Sequence, residues 1–231
     1  MGNGKRLYLA TQLKNVPLFG DLSGSQLVAL VNAGIVKHYA KGSFIVRQSD
    51  TGNTLYIVVS GQAKVVLLNP DGKEIVLSLL KEGDFFGELS LLDDEPRSAS
   101  VVVLKDSTLF LLTRVQFYKL ITTHAGILKK VLKEIVNRLR IADEKIAGLA
   151  FLDVYGRTIQ VLRQLANERG RKTENGIEIT NAPTHQELAS MVGASREAIT
   201  RITKVLKKNK NLVSYRDGKA VLRQELEIPF L

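Results

Sequence analysis

Two residues of opposite charge carry the most specific chemistry in this chain. Glu88 lies within Phe86-Gly87-Glu88-Leu89-Ser90, and after six intervening residues comes Arg97-Ser98-Ala99-Ser100-Val101. A guanidinium forms a forked, charge-assisted pair with phosphate oxygens. Ser98 offers a hydroxyl and a backbone N–H to the same group. Glu88 only accepts hydrogen bonds, which suits a sugar hydroxyl and not a phosphate. Gly87 lets the backbone approach a ligand closely. The combination suits a cyclic phosphate on a ribose. The plain alternative is a surface loop, Leu91 to Pro96, with a solvated Glu–Arg pair, which is common and weak.

The elements around this stretch are mostly β. Ser43 to Arg47, Thr54 to Ser60, Gln62 to Leu68, Glu74 to Leu80 and Ser100 to Leu104 are rich in β-branched and aliphatic residues. Turns carrying Gly42, Gly52, Gly61, Gly72 and Gly83 separate many of them. In Asn69-Pro70-Asp71-Gly72, proline presets φ and glycine accepts a positive φ. Many short strands at this spacing predict a sandwich or barrel. Ahead of them, Ser23 with Gln26 forms a capping box for a short helix through Leu27–Val31.

The period changes from about Thr113. Leu128, Leu132, Ile135, Leu139, Ala142, Ile146 and Leu149 alternate spacings of four and three, an a/d seam with charged residues between. A narrow seam predicts a dimer-forming coiled coil. The alternative is a helix lying on its own β domain. Phe151-Leu152-Asp153-Val154 reads as a hinge and Arg157 to Arg169 as a helix. Arg171 to Gly176 reads as a polar turn and Ile177 to Thr180 as a strand.

Thr184 with Glu187 caps a helix through Met191, Val192-Gly193-Ala194 turns the chain, and Ser195 caps a second helix to about Asn209. Leu188, Ala189, Val192, Ile199, Ile202 and Leu206 would hold the two helices together. Between Ser195 and Lys210 stand six basic residues, Arg196, Arg201, Lys204, Lys207, Lys208 and Lys210, against one acid, Glu197. This is a helix-turn-helix pattern with DNA-binding charge. Leu212–Tyr215, the turn Arg216-Asp217-Gly218-Lys219, and Ala220–Leu222 read as a hairpin wing.

Composition sets the limits. The chain has 231 residues, enough for two modest domains, and 45% hydrophobic residues to build their cores. Its net charge of +10 points to a polyanion, nucleic acid or membrane surface. The absence of cysteine excludes disulfides, iron–sulfur clusters and thiolate-ligated haem, and fits the cytoplasm. No apolar run approaches the roughly 20 residues of a membrane span, and no signal-peptide core follows the basic N-terminus. No paired acids, nucleophile–base pair or metal-ligand cluster suggests an enzyme. His38, His124 and His185 are scattered, as surface or capping residues would be.

Gly87-Glu88-Leu89 with Arg97-Ser98-Ala99 resembles the phosphate-binding cassette of cyclic-nucleotide-binding domains, and residues 40–61 resemble the first half of their β-roll. Gly148 to Val154 with Gly156-Arg157, then Gln186-Glu187-Leu188, Val192-Gly193 and Ser195-Arg196-Glu197 with Arg201, extend the resemblance over nearly the whole chain. It is to the CRP/FNR family of transcription regulators, in its catabolite-activator branch. The resemblance implies an α+β chain: a jelly-roll-like cyclic-nucleotide-binding β-roll (1–125), a long dimerisation helix and hinge (126–152), and a winged helix-turn-helix (153–231). It implies a non-enzymatic, cytoplasmic homodimer with a double-stranded DNA operator and RNA polymerase as partners, no membrane and no metal. Phe86, Gly87, Glu88, Leu89, Arg97, Ser98 and Ala99 would form the cassette, with Glu88 on the ribose and Arg97 and Ser98 on the phosphate. Arg138 is retained from the family pattern, but Ala142 and Asp143 stand where cAMP-responsive relatives present a Thr-Ser pair to the adenine. The effector reads as cAMP first, with cGMP or cyclic di-GMP as alternatives. A ligand-independent DNA-binding regulator with a vestigial cassette is the rival reading. Arg196, Glu197 and Arg201 would read base edges. Thr184 and Ser195 would meet phosphates. Thr200 and Lys204 complete the DNA-binding set.

Overall fold

The computed structural model describes residues 3–216 and 218–223. Asp217, within the expected wing turn, lies outside the described residues. The chain divides into two compact units, residues 1–138 and 139–231.

The first unit opens with α1 (Asn3–Lys14), a 3-10 turn (Pro17–Phe19) and α2 (Gly24–Ala33). In α2 the capping box closes as expected: Ser23 Oγ accepts from Gln26 N at 3.3 Å, and Gln26 Oε1 accepts from Ser23 N at 2.8 Å. The strands are β1 (Ile35–Tyr39), β2 (Phe44–Val46), β3 (Thr54–Leu68), β4 (Glu74–Leu80), β5 (Phe85–Phe86) and β6 (Ser100–Thr113). They pair antiparallel in the order β1-β6-β3-β4, with β2 also on β6 and β5 also on β3. Between β5 and β6 lies α3 (Leu89–Leu92), and after β6 comes α4 (Arg114–Thr123).

Several sequence readings change here. The two strands expected around Gly61 are one, β3. Gly61 adopts φ +96°, and a Cβ there would sit 2.5 Å from Asp106 O and 2.6 Å from Ser107 Cα. The glycine bends the strand, with irregular register against β6, where the pattern alone suggested a turn. β6 runs on to Thr113, well past Leu104. The expected loop at Leu91 to Pro96 begins as the end of α3.

Two apolar clusters fill this unit. Leu13, Phe19, Leu55, Ile57, Phe110 and Phe117 belong to one, under the helices. Val58, Ala63, Leu80, Phe86, Val101 and Leu109 form the other. Each large side chain so buried contributes about 1.5–3 kcal/mol.

α5 (Ala125–Phe151) runs through the boundary between the units. Its apolar residues divide by face. Ile127 and Val131 are buried in the first cluster, with Leu128 and Ile135 packed at its edge. The seam residues Leu132, Leu139, Ile146 and Leu149 are 52%, 60%, 64% and 63% exposed. The alternative reading therefore holds for one edge of the helix, which lies on its own domain, while the rest of the seam is uncovered among the described residues.

The second unit continues with α6 (Val154–Arg169), β7 (Gly170–Thr173), β8 (Gly176–Thr180), α7 (His185–Val192), α8 (Arg196–Lys208), β9 (Leu212–Arg216) and β10 (Lys219–Leu222). Its sheet is antiparallel in the order β7-β8-β10-β9. Arg171–Thr173, expected within a turn, is strand β7. All four β7 residues are exposed, so no buried alternation marks it in the sequence. Asp153 caps α6, its Oδ1 accepting from Gly156 N at 2.7 Å. Among the described residues, no helix is long and apolar enough to cross a membrane, and no cluster of His, Asp and Glu could hold a metal ion.

Candidate effector and DNA sites

β5 delivers Phe86, and Gly87 then turns the chain at φ +85°. A Cβ at Gly87 would lie 2.5 Å from Arg97 Nη1 and 2.8 Å from Thr54 O, so only glycine fits. The turn sends Glu88 inward, 1% exposed. Its Oε1 accepts from Arg138 Nη1 at 2.9 Å. Its Oε2 is buried and has no hydrogen-bond partner among the described residues. Burial pushes the Glu88 carboxyl pKa up, and the Arg138 guanidinium opposes that shift. Arg138 is further fixed by Phe85 O at 2.6 Å and Glu134 Oε1 at 3.0 Å.

Arg97 is 6% exposed. Its Nη1 donates to Gly87 O at 2.8 Å and its Nη2 to Thr54 O at 2.7 Å. Both acceptors are neutral, and among the described residues Arg97 makes no ion pair. Burial pulls its pKa below the usual guanidinium value. Its backbone is tied to the preceding loop: Arg97 N donates to Asp50 O and Ser49 N to Arg97 O, both at 2.9 Å. Ser98 is exposed beside it, Ala99 is buried, and Leu89 is 40% exposed. The solvated pair of the plain alternative is thus absent: Glu88 and Arg97 are both buried and do not bond each other. A buried acceptor left without a donor costs about 1–3 kcal/mol. A buried cation without a counter-ion is costly as well. A ligand bearing a hydroxyl and an anion would relieve both.

The sequence reading missed Tyr56. Its ring stacks on Phe86 with centroids 4.9 Å apart, and Arg97 Cζ lies 5.7 Å from its centroid. Alternation along β3 places Tyr56 on a face, but only the folded register brings Phe86 opposite it.

Ala142 and Asp143 come one turn after Arg138 along α5, in the second unit, and both are exposed.

In the second unit, α7 and α8 meet through buried Leu188, Ala189, Val192, Ile199 and Leu206. Gly193 ends α7 at φ +72°, a left-handed cap. Thr184 closes its capping box with Glu187 at 2.7 Å and 3.2 Å, and Ser195 Oγ accepts from Ala198 N at 3.2 Å. Arg196, Glu197, Arg201, Lys204, Lys207 and Lys208 are all exposed on α8. Hydrogen bonds from its own backbone N–H and from Ser195 hold the Glu197 carboxyl below its usual pKa. Thr200 is half-buried; its hydroxyl donates to Arg196 O at 2.9 Å and lies 3.1 Å from His185 Nδ1.

His185, read from the sequence as a surface or capping residue, also packs between elements. It touches Thr200 and Thr203 on α8, and its ring lies 5.2 Å from that of Tyr215 on β9. The Tyr215 hydroxyl in turn donates to Pro183 O. Arg157 Nε donates to Val192 O at 3.0 Å and its Nη1 to Leu152 O at 2.8 Å, tying the start of α6 to the end of α7. His124 is a capping residue, as the sequence suggested: it ends α4, with Nδ1 3.2 Å from Leu120 O.

The family model for the cyclic nucleotide-binding domain matches residues 36–124, and that for the Crp-like helix-turn-helix domain matches residues 156–225. The "cAMP-activated global transcriptional regulator CRP" of Salmonella typhimurium is 36% identical over 78% of this chain and 85% of its own length. The "CRP-like cAMP-activated global transcriptional regulator" of Mycobacterium tuberculosis is 30% identical over 82% and 84%. The chain belongs to the CRP family of transcription regulators.

Solved structures of this CRP family share the fold. The Thermus thermophilus catabolite activator protein is 29% identical, covering 90% of this chain and 94% of its own, with a TM-score of 0.53. The regulator CLP of Xanthomonas campestris, described as c-di-GMP responsive, is 25% identical over 88% of this chain and all of its own, with a TM-score of 0.70. This CRP-family chain is therefore a cyclic-nucleotide-binding, DNA-binding transcription regulator, and its relatives are regulators and not enzymes.

Proposed function

We propose that the chain is a homodimeric regulator whose operator binding is set by cAMP. The carrying observation is the buried pair of Glu88, whose Oε2 has no hydrogen-bond partner among the described residues, and Arg97, whose guanidinium donates to two neutral carbonyls and makes no ion pair among those residues. A ribose hydroxyl would donate to Glu88 Oε2, and a cyclic phosphate would meet Arg97 and the Ser98 hydroxyl. Phe86, Gly87, Leu89 and Ala99 would shape the wall around it. The cAMP-activated relatives named above favour cAMP. The base preference is assigned to Ala142 and Asp143, on their matching positions in the family alone. The exposed seam from Leu132 to Leu149 supports pairing with a second copy. A dimer would set two α8 helices about 34 Å apart, one DNA turn. There Arg196, Glu197 and Arg201 would face base edges. Lys204, Thr184 and Ser195 would face the backbone, with Thr200 helping to hold α8 in place. Effector binding would shift the population towards that spacing. Functional parts at 1–125, 126–152 and 153–231, a cytoplasmic setting and contact with RNA polymerase belong to the same reading.

The test is calorimetric titration of the nucleotide-free protein with cAMP, cGMP and cyclic di-GMP, followed by anisotropy on an operator selected from random DNA. Saturation by cAMP and tighter operator binding in its presence are expected. Equal operator affinity with and without every nucleotide would leave the ligand-independent regulator instead. Saturation by cyclic di-GMP alone would reassign the effector.

A further inference from the structure

We propose that Arg114, the first residue of α4, is a positioning residue for the effector site, holding the Gly52–Asn53 loop against α3 so that Arg97 is presented to the phosphate. The inference rests on the reading of residues 86–99 as the effector pocket.

One guanidinium gathers groups from two separate segments, Gly52–Asn53 and Ser90–Asp94. Arg114 Nη2 donates to Ser90 O at 2.8 Å and Gly52 O at 3.2 Å. Nη1 donates to Leu91 O at 3.3 Å and pairs with the Asp94 carboxylate. Nε donates to Asn53 Oδ1 at 3.3 Å, and the Arg114 backbone N–H donates to Asn53 O at 3.1 Å. Ser90 and Leu91 belong to α3, directly after Glu88. Gly52 and Asn53 precede Thr54, whose carbonyl accepts from Arg97. The two segments are pressed together beside Arg97: a Cβ on Gly52 would lie 2.7 Å from Ser90 Oγ and 2.9 Å from Arg97 Cζ. With that flank closed, the Arg97 guanidinium is confined to the carbonyls of Gly87 and Thr54. Tyr118, one turn along α4, adds a bond from its hydroxyl to Leu91 O at 2.7 Å. α4 thus acts as a clamp on the two segments beside Arg97, and Arg114 closes it. Because the contacts are made from Nε, Nη1 and Nη2 together, a single lysine ammonium does not replace them.

The experiment compares Arg114→Gln and Arg114→Lys, alone and with Arg97→Gln, by calorimetry with cAMP and cGMP. Each single variant at Arg114 should bind the parent's nucleotide about tenfold more weakly, within the range that coupling between touching residues reaches. In the Arg97→Gln background the further loss should shrink to about threefold or less, because the group being positioned is gone. Full affinity in Arg114→Lys would mean that charge and not positioning matters, and strictly additive losses would mean general damage; either overturns the proposal. Amide hydrogen exchange on nucleotide-free Arg114→Gln supplies an independent readout: residues 50–54 and 88–92 should open together, and unchanged protection there overturns the clamp. If Arg114→Gln does not fold, Asn53→Ala removes one acceptor at the loop end and should give the same paired opening in milder form. A parent that binds no cyclic nucleotide defeats the proposed effector, while the exchange measurement still decides on the clamp.

Discussion

Replacing Arg97 by Gln should move stability and affinity differently. In the nucleotide-free protein the guanidinium makes two hydrogen bonds, to Gly87 O and Thr54 O, and no ion pair among the described residues. Losing them costs about 0.5–1.5 kcal/mol each. Removing a buried charge without a counter-ion returns several kcal/mol of desolvation, of similar or larger size. The free variant should therefore unfold within about 1 kcal/mol of the parent, or later. With effector the balance reverses. A charge-assisted contact to phosphate is worth about 1.5–3 kcal/mol, so the dissociation constant should rise roughly ten- to hundredfold. The linkage is measurable by thermal or urea unfolding. At an effector concentration of 100 times the parent's dissociation constant, the parent gains about 2.7 kcal/mol. The variant at the same concentration should gain only about 1.4 to about 0.4 kcal/mol. An unchanged gain would show that Arg97 does not touch the effector. A free variant destabilised by more than about 3 kcal/mol would show that Arg97 is a structural pillar and that its neutral surroundings were misjudged.

Further outcomes follow from the other sites. Leu139 is 60% exposed in the protomer, so Leu139→Lys should leave the protomer folded yet sediment as a monomer or a much weaker dimer; a dimer as tight as the parent's would place the interface elsewhere. Arg201→Ala should cost about 1–3 kcal/mol on a selected operator with little effect on random DNA, whereas Lys208→Ala should weaken both and lower the salt slope by about one. Equal losses on both DNAs for Arg201→Ala would make it a backbone contact. The His185 pKa is lowered by burial, then by Arg196 and Lys207, from an ordinary 6.5. A depressed pKa gives stability that is fully present above 6.5 and is lost as pH falls through that value towards the folded-state pKa. Exchange protection along α8, corrected for intrinsic rates, should therefore fall between about pH 7.5 and about pH 5.5. The loss should be absent in His185→Asn; a parent with flat protection would refute the assignment.

What the sequence disclosed depended on how local the encoding is. Ser23 with Gln26 and Thr184 with Glu187 bond within one turn, so type and spacing suffice to find them. Thr113 with Gln116 encodes the same box at the start of α4, where Gln116 Oε1 accepts from Thr113 N at 2.7 Å, and it went unread beside the stronger seam signal. β1 escaped because Lys37 and His38 break the apolar pattern; it is a strand by virtue of its register with β6. Glu88 and Arg97 were legible as a motif. Their burial, the free Oε2 and the roles of Tyr56 and Arg114 were not, because each depends on segments distant in the chain. The α5 seam was ambiguous for a physical reason: Ile127 and Val131 point into the core from one face while Leu132 and Leu139 occupy another.

The pairing of β3 with β6 also fixes an order of events during synthesis. The ladder joins Thr54 to Thr113 and Val66 to Ser100, so the whole cassette hangs on the connection between two strands that must find each other across a long loop. Closing such a loop is slow compared with forming the sequence-adjacent α7–α8 pair. A nascent chain that has left the ribosome only as far as Ala99 holds every cassette residue and still lacks the strand and the helix that fold them together. Effector can therefore select among finished molecules but has nothing to bind on an unfinished one. The α7–α8 pair, made late and folding from neighbouring contacts, emerges into a chain whose first unit has already had time to close.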